Sequence, residues 1–157
     1  MREQLIKKAE IFPIEFIIRN IATGSLTKRL GTPEGTVLDK PLLEYCFKKD
    51  ELNDPIISKE HIFSFGWATE KDIKIIDKMT LRINDLLVGM FRGIGIKLVY
   101  FKIEYGTVWN KEIEKKEIVL ADEISPDTCR LWDSKTEKKL DRDRFRKGLG
   151  NIIQGYQ

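Results

Sequence analysis

Between Thr69 and Tyr105 the chain changes hydrophobic period once, from one suited to a helix to one suited to a strand. Thr69 can cap a helix beginning near Glu70. Ile73, Ile76, Met79, Ile83, Leu86 and Met90 then recur at helical spacing. Such a stripe is a core face rather than a cofactor site. Gly93 and Gly95 end the helix, and the run Ile96 to Tyr105, IKLVYFKIEY, reads as a strand. A long helix delivered straight into a long strand sets the class as mixed, with helix packed on sheet.

The flanking segments add to that frame. Phe16-Ile17-Ile18 in PIEFIIRN predicts a short buried strand bounded by Pro13 and ending at Arg19-Asn20. In IATGSLTKRLG, Gly24 and Ser25 open a short cationic helical turn that Gly31 closes, a place suited to anion capture. Pro33, Gly35 and Pro41 predict a loop from Thr32 to Pro41, before a short apolar segment from Leu42 to Phe47. KKDELNDPIIS is read as another loop, Glu117 to Ala121 as a second strand, and SPDTCRLWD as turn-rich. A further helix is expected to start near Asp141. No internal repeat or low-complexity tract interrupts the 157 residues, which suit one compact unit.

Composition excludes several classes. With 41% hydrophobic and 34% charged residues of both signs, the chain has the makings of a core and not of a disordered segment. No apolar run is long enough for a membrane span, and no charged head precedes an apolar signal core, so the expectation is a cytoplasmic protein without a membrane partner. A net charge of +3 is too small to mark a polyanion binder. The bases of RDRFRKG alternate with acids and have no aromatic platform beside them, so no nucleic acid partner is expected. Cys46 and Cys129 read as ordinary reduced thiols, and a single histidine, His61, rules out a His-rich metal site.

Strand alternation places Ile96, Leu98, Tyr100, Lys102 and Glu104 on one face, apolar at its start and charged at its end. A hairpin turn centred near Ile113 would set Asp122 opposite Glu104. Two carboxylates so placed suit either a Mg²⁺ carrying ATP phosphates or a solvated strand end, and spacing alone does not choose. Arg19, Ser25, Lys28, Arg29 and Arg130 supply donors suited to phosphate or carboxylate. For Lys28 and Arg29 the solvated ion pair is the favoured reading. Arg19 differs, because it ends an apolar strand where an isolated charge needs a partner.

The segments RNIATGSLTKRLG, FKKDELNDP, FGW, FKIEYG, LADE and SPDTCRLWD, in this order, resemble the SAICAR synthetase family (phosphoribosylaminoimidazole-succinocarboxamide synthase). The resemblance covers nearly the whole chain from about Leu5. It implies an α+β fold, an antiparallel sheet with packed helices forming the larger lobe of an ATP-grasp-like enzyme. Residues 1–12 would be an interlobe segment and 13–157 the C-terminal ATP- and substrate-binding lobe. The implied reaction is ATP-dependent ligation of L-aspartate to carboxyaminoimidazole ribonucleotide in purine biosynthesis, giving the succinocarboxamide product, ADP and phosphate. By motif, Arg19, Ser25 and Arg130 would bind the nucleotide substrate, and Lys102 and Arg130 would act at the reacting anion. Lys7, Lys8, Ile11, Lys48, Glu104 and Asp122 would contact ATP, with Glu104 and Asp122 as Mg²⁺ ligands. A homo-oligomer is also implied.

Two departures accompany the resemblance. The sequence begins after the family's basic phosphate-binding and acidic substrate-binding segments, so half of the ATP site is expected to lie outside it. The alternative function is therefore a noncatalytic nucleotide- or anion-binding fragment. Tyr100 stands where the family usually carries Asp, and a phenol neutral near pH 7 cannot serve as a metal ligand or countercharge.

Overall fold

Strand β4, Ile96–Asn110, is the axis of the fold in the computed structural model, which describes residues 5–141. The other elements are β1 (Glu10–Ile21), α1 (Ser25–Leu30), β2 (Val37–Phe47), β3 (Ile56–Ile57), α2 (Lys59–Ser64), α3 (Glu70–Gly93), β5 (Lys115–Leu120) and β6 (Cys129–Asp133). They form an antiparallel sheet in the order β3-β2-β1-β4-β5, with β6 also paired to β4. The architecture is α+β, as expected. The helix read near Asp141 and the RDRFRKG segment lie outside the described residues, apart from Asp141 itself.

Two strands share one edge of β4. β6 pairs with its first half, from Ile96 to Phe101, and β5 with its second, from Tyr105 to Asn110. Lys102 and Glu104 fall in the gap between them, where the 121–128 connection supplies the missing bonds. Lys102 N–H donates to Thr128 O and Ala121 N–H donates to Glu104 O, each at 3.0 Å. The gap opens β4 to side-chain chemistry without leaving its backbone unpaired.

Period-two alternation gives the sheet two unlike faces. Ile14, Phe16, Ile18, Phe101, Ile103 and Tyr105 pack with Ile73 and Ile76 of α3 into the core. Each such side chain fully buried contributes about 1.5–3 kcal/mol. The opposite face carries the charged residues. A capping box fixes the start of α3, Thr69 Oγ1 accepting from Asp72 N–H at 3.1 Å and Asp72 Oδ2 accepting from Thr69 N–H at 3.0 Å.

Several expectations need correction. β1 continues through Pro13, because its pairing with β4 is irregular between Ile11 and Glu15, where a missing N–H costs no ladder bond. β2 starts at Val37 and includes Pro41 for a similar reason: pairing with β1 shifts between Leu42 and Val37, and β3 covers only Tyr45 and Cys46. The turn-rich SPDTCRLWD contains β6. The buried stripe of α3 is Ile73, Ile76, Thr80, Asn84 and Leu87, while Leu86 and Met90 are exposed. Thr80 and Asn84 can lie inside because Thr80 Oγ1 bonds Tyr105 Oη at 2.8 Å and Asn84 exchanges hydrogen bonds with Asn20 at 2.8 and 3.1 Å.

The face assigned to β4 is also corrected. Pairing with β6 shifts between Leu98 and Tyr100, a bulge that inserts one residue and reverses the alternation. Leu98 therefore joins the core with α3, while Tyr100, Lys102 and Glu104 lie on the other face. The change from apolar to charged along β4 is a change of face.

Candidate functional site

Arg19 on β1 lies directly opposite Tyr100 on β4, which lies directly opposite Arg130 on β6. Residues in such a cross-strand row point to the same side of the sheet. The Arg19 guanidinium sits 4.8 Å from the centre of the Tyr100 ring and that of Arg130 sits 5.3 Å from it. Both arginines are almost fully buried, at 3% and 5% exposure. Charges so placed need partners. Arg19 Nε donates to Glu44 Oε2 at 2.6 Å, and Glu44 also pairs with Arg29. Arg19 Nη2 donates to Ser25 Oγ at 3.2 Å and Nη1 to Thr23 O at 3.4 Å. Gly24, at φ 63°, makes the turn that brings Ser25 back over Arg19. Arg130 Nη1 donates to Cys129 O at 3.1 Å and Asp127 O at 3.4 Å, and its Nε lies 4.0 Å from Asp141 Oδ1. Arg19 and the distant Arg130 thus meet on one tyrosine, and Ser25 joins them through its hydrogen bond to Arg19.

Further along β4, past the rung that pairs Lys102 with Ile17, the row changes sign. Glu15 lies opposite both Cys46 and Glu104. Two carboxylates in register repel, and each has its own ammonium: Lys102 Nζ meets Glu15 at 2.5 Å and Lys48 Nζ meets Glu104 at 2.5 Å. The hydrogen bond to Glu104 holds the Lys48 ammonium above the usual lysine range, helped by the charges of Glu104, Asp122 and Glu15 and opposed by burial. Burial pushes the Cys46 thiol up to about 11, so it is a neutral, free thiol. Burial raises Cys129 as well.

The β4–β5 hairpin sets Tyr105 opposite Leu120 and Asn110 opposite Lys115. That register is one residue off the one expected. Ala121 falls opposite Glu104, and Asp122 follows just beyond the end of β5. Both carboxylates still act on Lys48. Among the described residues no group of three or more His, Cys, Asp or Glu could hold a metal ion. Glu104 and Asp122 are a donor set for a hard cation that brings phosphate oxygens of its own, which is how Mg²⁺ commonly binds.

Asp122 also lines a cleft of about 710 Å³. Its walls include Lys7 and Lys8 from the segment entering β1 and Ile11 of β1 itself, with Val108, Val119 and Leu120 from the hairpin. Gly106 permits this arrangement: a Cβ there would stand 2.9 Å from Glu10 O and 3.0 Å from Ile11 Cδ1. The floor is apolar, and the charged residues that line the cleft are the two lysines and the carboxylates Glu117, Asp122 and Glu123, so an anionic ligand there needs the lysines or a cation beside it.

Two residues escaped the sequence reading. Glu44, in LLEYC, and Glu15, in PIEFII, each interrupt an apolar run. That carboxylate inside a strand was the available signal, and their partners proved to be Arg19 and Lys102.

Comparison with known proteins gives one consistent result. The family model described as SAICAR synthetase matches residues 1–157. The chain is 64% identical over 156 residues to phosphoribosylaminoimidazole-succinocarboxamide synthase of Pelagibacter ubique, covering 99% of this chain and 59% of that protein. It is 58% identical to the enzyme of the same name from Rhodospirillum centenum, covering 100% of this chain and 61% of the relative. The crystal structure of the enzyme from Ehrlichia chaffeensis superposes with a TM-score of 0.92 at 50% identity, covering 99% of this chain and 65% of that one. A SAICAR synthetase in complex with ADP superposes with a TM-score of 0.87 at 44% identity, covering 95% of this chain and 61% of that one. The chain thus spans about three fifths of the length of the curated relatives it matches.

Proposed function

The chain belongs to the SAICAR synthetase family, and from that premise we propose that its charged sheet face is the substrate- and nucleotide-binding part of an ATP-dependent ligase. The reaction would join L-aspartate to carboxyaminoimidazole ribonucleotide, giving SAICAR, ADP and phosphate. One observation carries the reading: the buried arginine row and the Lys48–Glu104 pair lie side by side on one face of β4, and Asp122 ties that pair to the adjoining cleft.

The roles follow from that geometry. Arg19, Ser25 and Arg130 would receive the substrate's phosphate or carboxylate, with guanidinium groups already desolvated and oriented. Lys102, beside the row on β4, would exchange its Glu15 partner for the reacting carboxylate. The cleft bordered by Lys7, Lys8 and Ile11 would take the adenine end of ATP, with Lys48 reaching its phosphates. Mg²⁺, when bound with ATP, supplies neutralisation of phosphate charge, and Glu104 and Asp122 are the residues that would hold it. The substrate carboxylate would take the terminal phosphoryl group to become an acyl phosphate. The aspartate amine would then attack that carbonyl and phosphate would leave. For this chain's residues the work is positioning and charge stabilisation.

The test is ADP release by a preparation containing the chain, measured with carboxyaminoimidazole ribonucleotide and aspartate together and with each omitted. ADP formation requiring both supports the reading. Tight binding of nucleotide with no dependence on aspartate would replace it with a noncatalytic binding role. Arg130→Met should abolish turnover while the fold, followed by circular dichroism, persists.

A further inference from the structure

At Asn20 the first two strands part. Arg19 pairs with Leu42 and Ile21 with Val37, so on β2 the residues Leu38, Asp39, Lys40 and Pro41 all stand against Asn20 alone. An excursion of that kind bends its strand away from the sheet. The space it leaves is a cavity of about 430 Å³ on the α3 side, walled by Leu38 and Pro41 of the excursion, Val88 and Arg92 of α3, and Ile96 and Leu98 of β4. Backbone hydrogen bonds pin its surroundings: Ala22 N–H donates to Thr36 O at 2.8 Å, Gly35 N–H to Ala22 O at 2.9 Å and Ser134 N–H to Gly95 O at 2.9 Å. The cavity is therefore held open by the course of the chain. It lies at the far end of β1 from the cleft beside Ile11, about 30 Å away at the rise of a strand.

Its lining has one kind of charge and one kind of apolar group. Arg92 and Lys97 are the charged residues, and no carboxylate lines the cavity. Lys97 is paired with Glu137 at 2.8 Å, whereas Arg92 is exposed and pairs with no carboxylate among the described residues. The carbonyl end of α3 would oppose an anion, but Ile94 N–H already bonds Phe91 O at 3.1 Å and Gly95 N–H bonds Arg92 O at 3.2 Å. Both amide hydrogens of Asn20 are spent, on Asn84 Oδ1 at 2.8 Å and Leu98 O at 3.2 Å, so Asn20 has no donor left for a ligand. The apolar walls are aliphatic, with no aromatic ring on which a flat ligand could stack. We propose that this cavity binds a medium-chain aliphatic carboxylate, its hydrocarbon tail among Leu38, Val88 and Leu98 and its head on the Arg92 guanidinium. Its size is that of a small-molecule site. None of these residues has a part in the ligase reading, so the two stand or fall separately.

The experiment is a methyl NMR titration of the full 157-residue chain with octanoate, hexanoate and octanamide. Octanoate should shift the methyl signals of Leu38, Val88 and Leu98 saturably. Hexanoate, two methylenes shorter, should bind about five- to fifteenfold more weakly. Octanamide, with the same tail and no charge, should bind about two- to fivefold more weakly than octanoate. In Arg92→Gln the acid and the amide should bind alike. Leu38→Asp, which sets a carboxylate in the wall, should weaken octanoate at least about tenfold. Thermal melts establish that each variant is folded, and Arg92→Gln, at an exposed position, keeps the test decisive where Leu38→Asp is not folded. Octanoate shifts that spare Leu38, Val88 and Leu98, or no saturable shift at all, would overturn the site. Equal binding of octanoate and octanamide to the wild type would overturn the carboxylate as its ligand.

Discussion

Replacing Glu44 by glutamine keeps the shape of the side chain and removes the charge that balances Arg19. Glu44 is nearly buried and divides its two oxygens between Arg19, at 2.6 Å, and Arg29. A glutamine has one acceptor oxygen, so one guanidinium must face its NH₂ group. Arg29 is 38% exposed and can turn to water, whereas Arg19 cannot. A hydrogen bond to a charged group is worth about 1.5–3 kcal/mol net, so the loss at Arg19 should be about 2–3 kcal/mol. At about 2–4 °C per kcal/mol for a chain of this size, Tm should fall by about 4–12 °C. Calorimetric melts of wild type, Glu44→Gln and Arg29→Met would measure it, and Arg29→Met should cost under about 1 kcal/mol as a partly exposed pair. Phosphate should restore more stability to Glu44→Gln than to wild type, since an uncompensated Arg19 gains most from an anion. A melt within about 1 °C of wild type with the same phosphate dependence would refute the claim that Glu44 holds Arg19.

Three further outcomes are expected. Gly106→Ala should push the Ala9–Ile11 backbone out of the cleft wall, costing about 1–3 kcal/mol and weakening ADP binding, whereas unchanged ADP affinity would separate Gly106 from the cleft. By NMR titration Lys48 should lose its proton above the ordinary lysine value of about 10.4, and Glu104→Gln should bring it back toward that value. The sign follows from the raised value: the contribution of Lys48 to stability is fully present at neutral pH and fades as pH climbs through the lysine range, so a gain on alkalinisation would contradict it. Thr80→Val should destabilise by about 1–3 kcal/mol, because it leaves the buried Tyr105 hydroxyl without its partner, and denaturant unfolding measures that cost.

The mixed class, the start of α3 and most of β4 were legible because each rests on a local rule: a capping residue, a three-to-four spacing, a period of two. What misled was register. The bulge at Leu98–Tyr100 depends on pairing with β6, a strand hidden in a turn-rich segment, and it alone decides that Leu98 faces α3 while Tyr100 faces Arg19. Both internal prolines looked like boundaries, since tolerance of a missing N–H depends on which neighbour is absent. Thr80 and Asn84 were invisible to an apolar stripe because their burial depends on Tyr105 and Asn20, far away in sequence. The site residues, by contrast, were named by motif, while the partners Glu44 and Glu15 required the sheet.

The central claim, that one sheet face binds both the anionic substrate and the nucleotide, is tested most directly by NMR mapping of each ligand on the same labelled protein. Carboxyaminoimidazole ribonucleotide should shift the signals of Arg19, Ser25, Tyr100 and Arg130. Mg²⁺ with ADP should shift those of Lys7, Lys8, Ile11, Lys48 and Asp122. Shifts confined to the α3 side of the sheet, or a nucleotide map that leaves Lys48 and Asp122 untouched, would contradict the account.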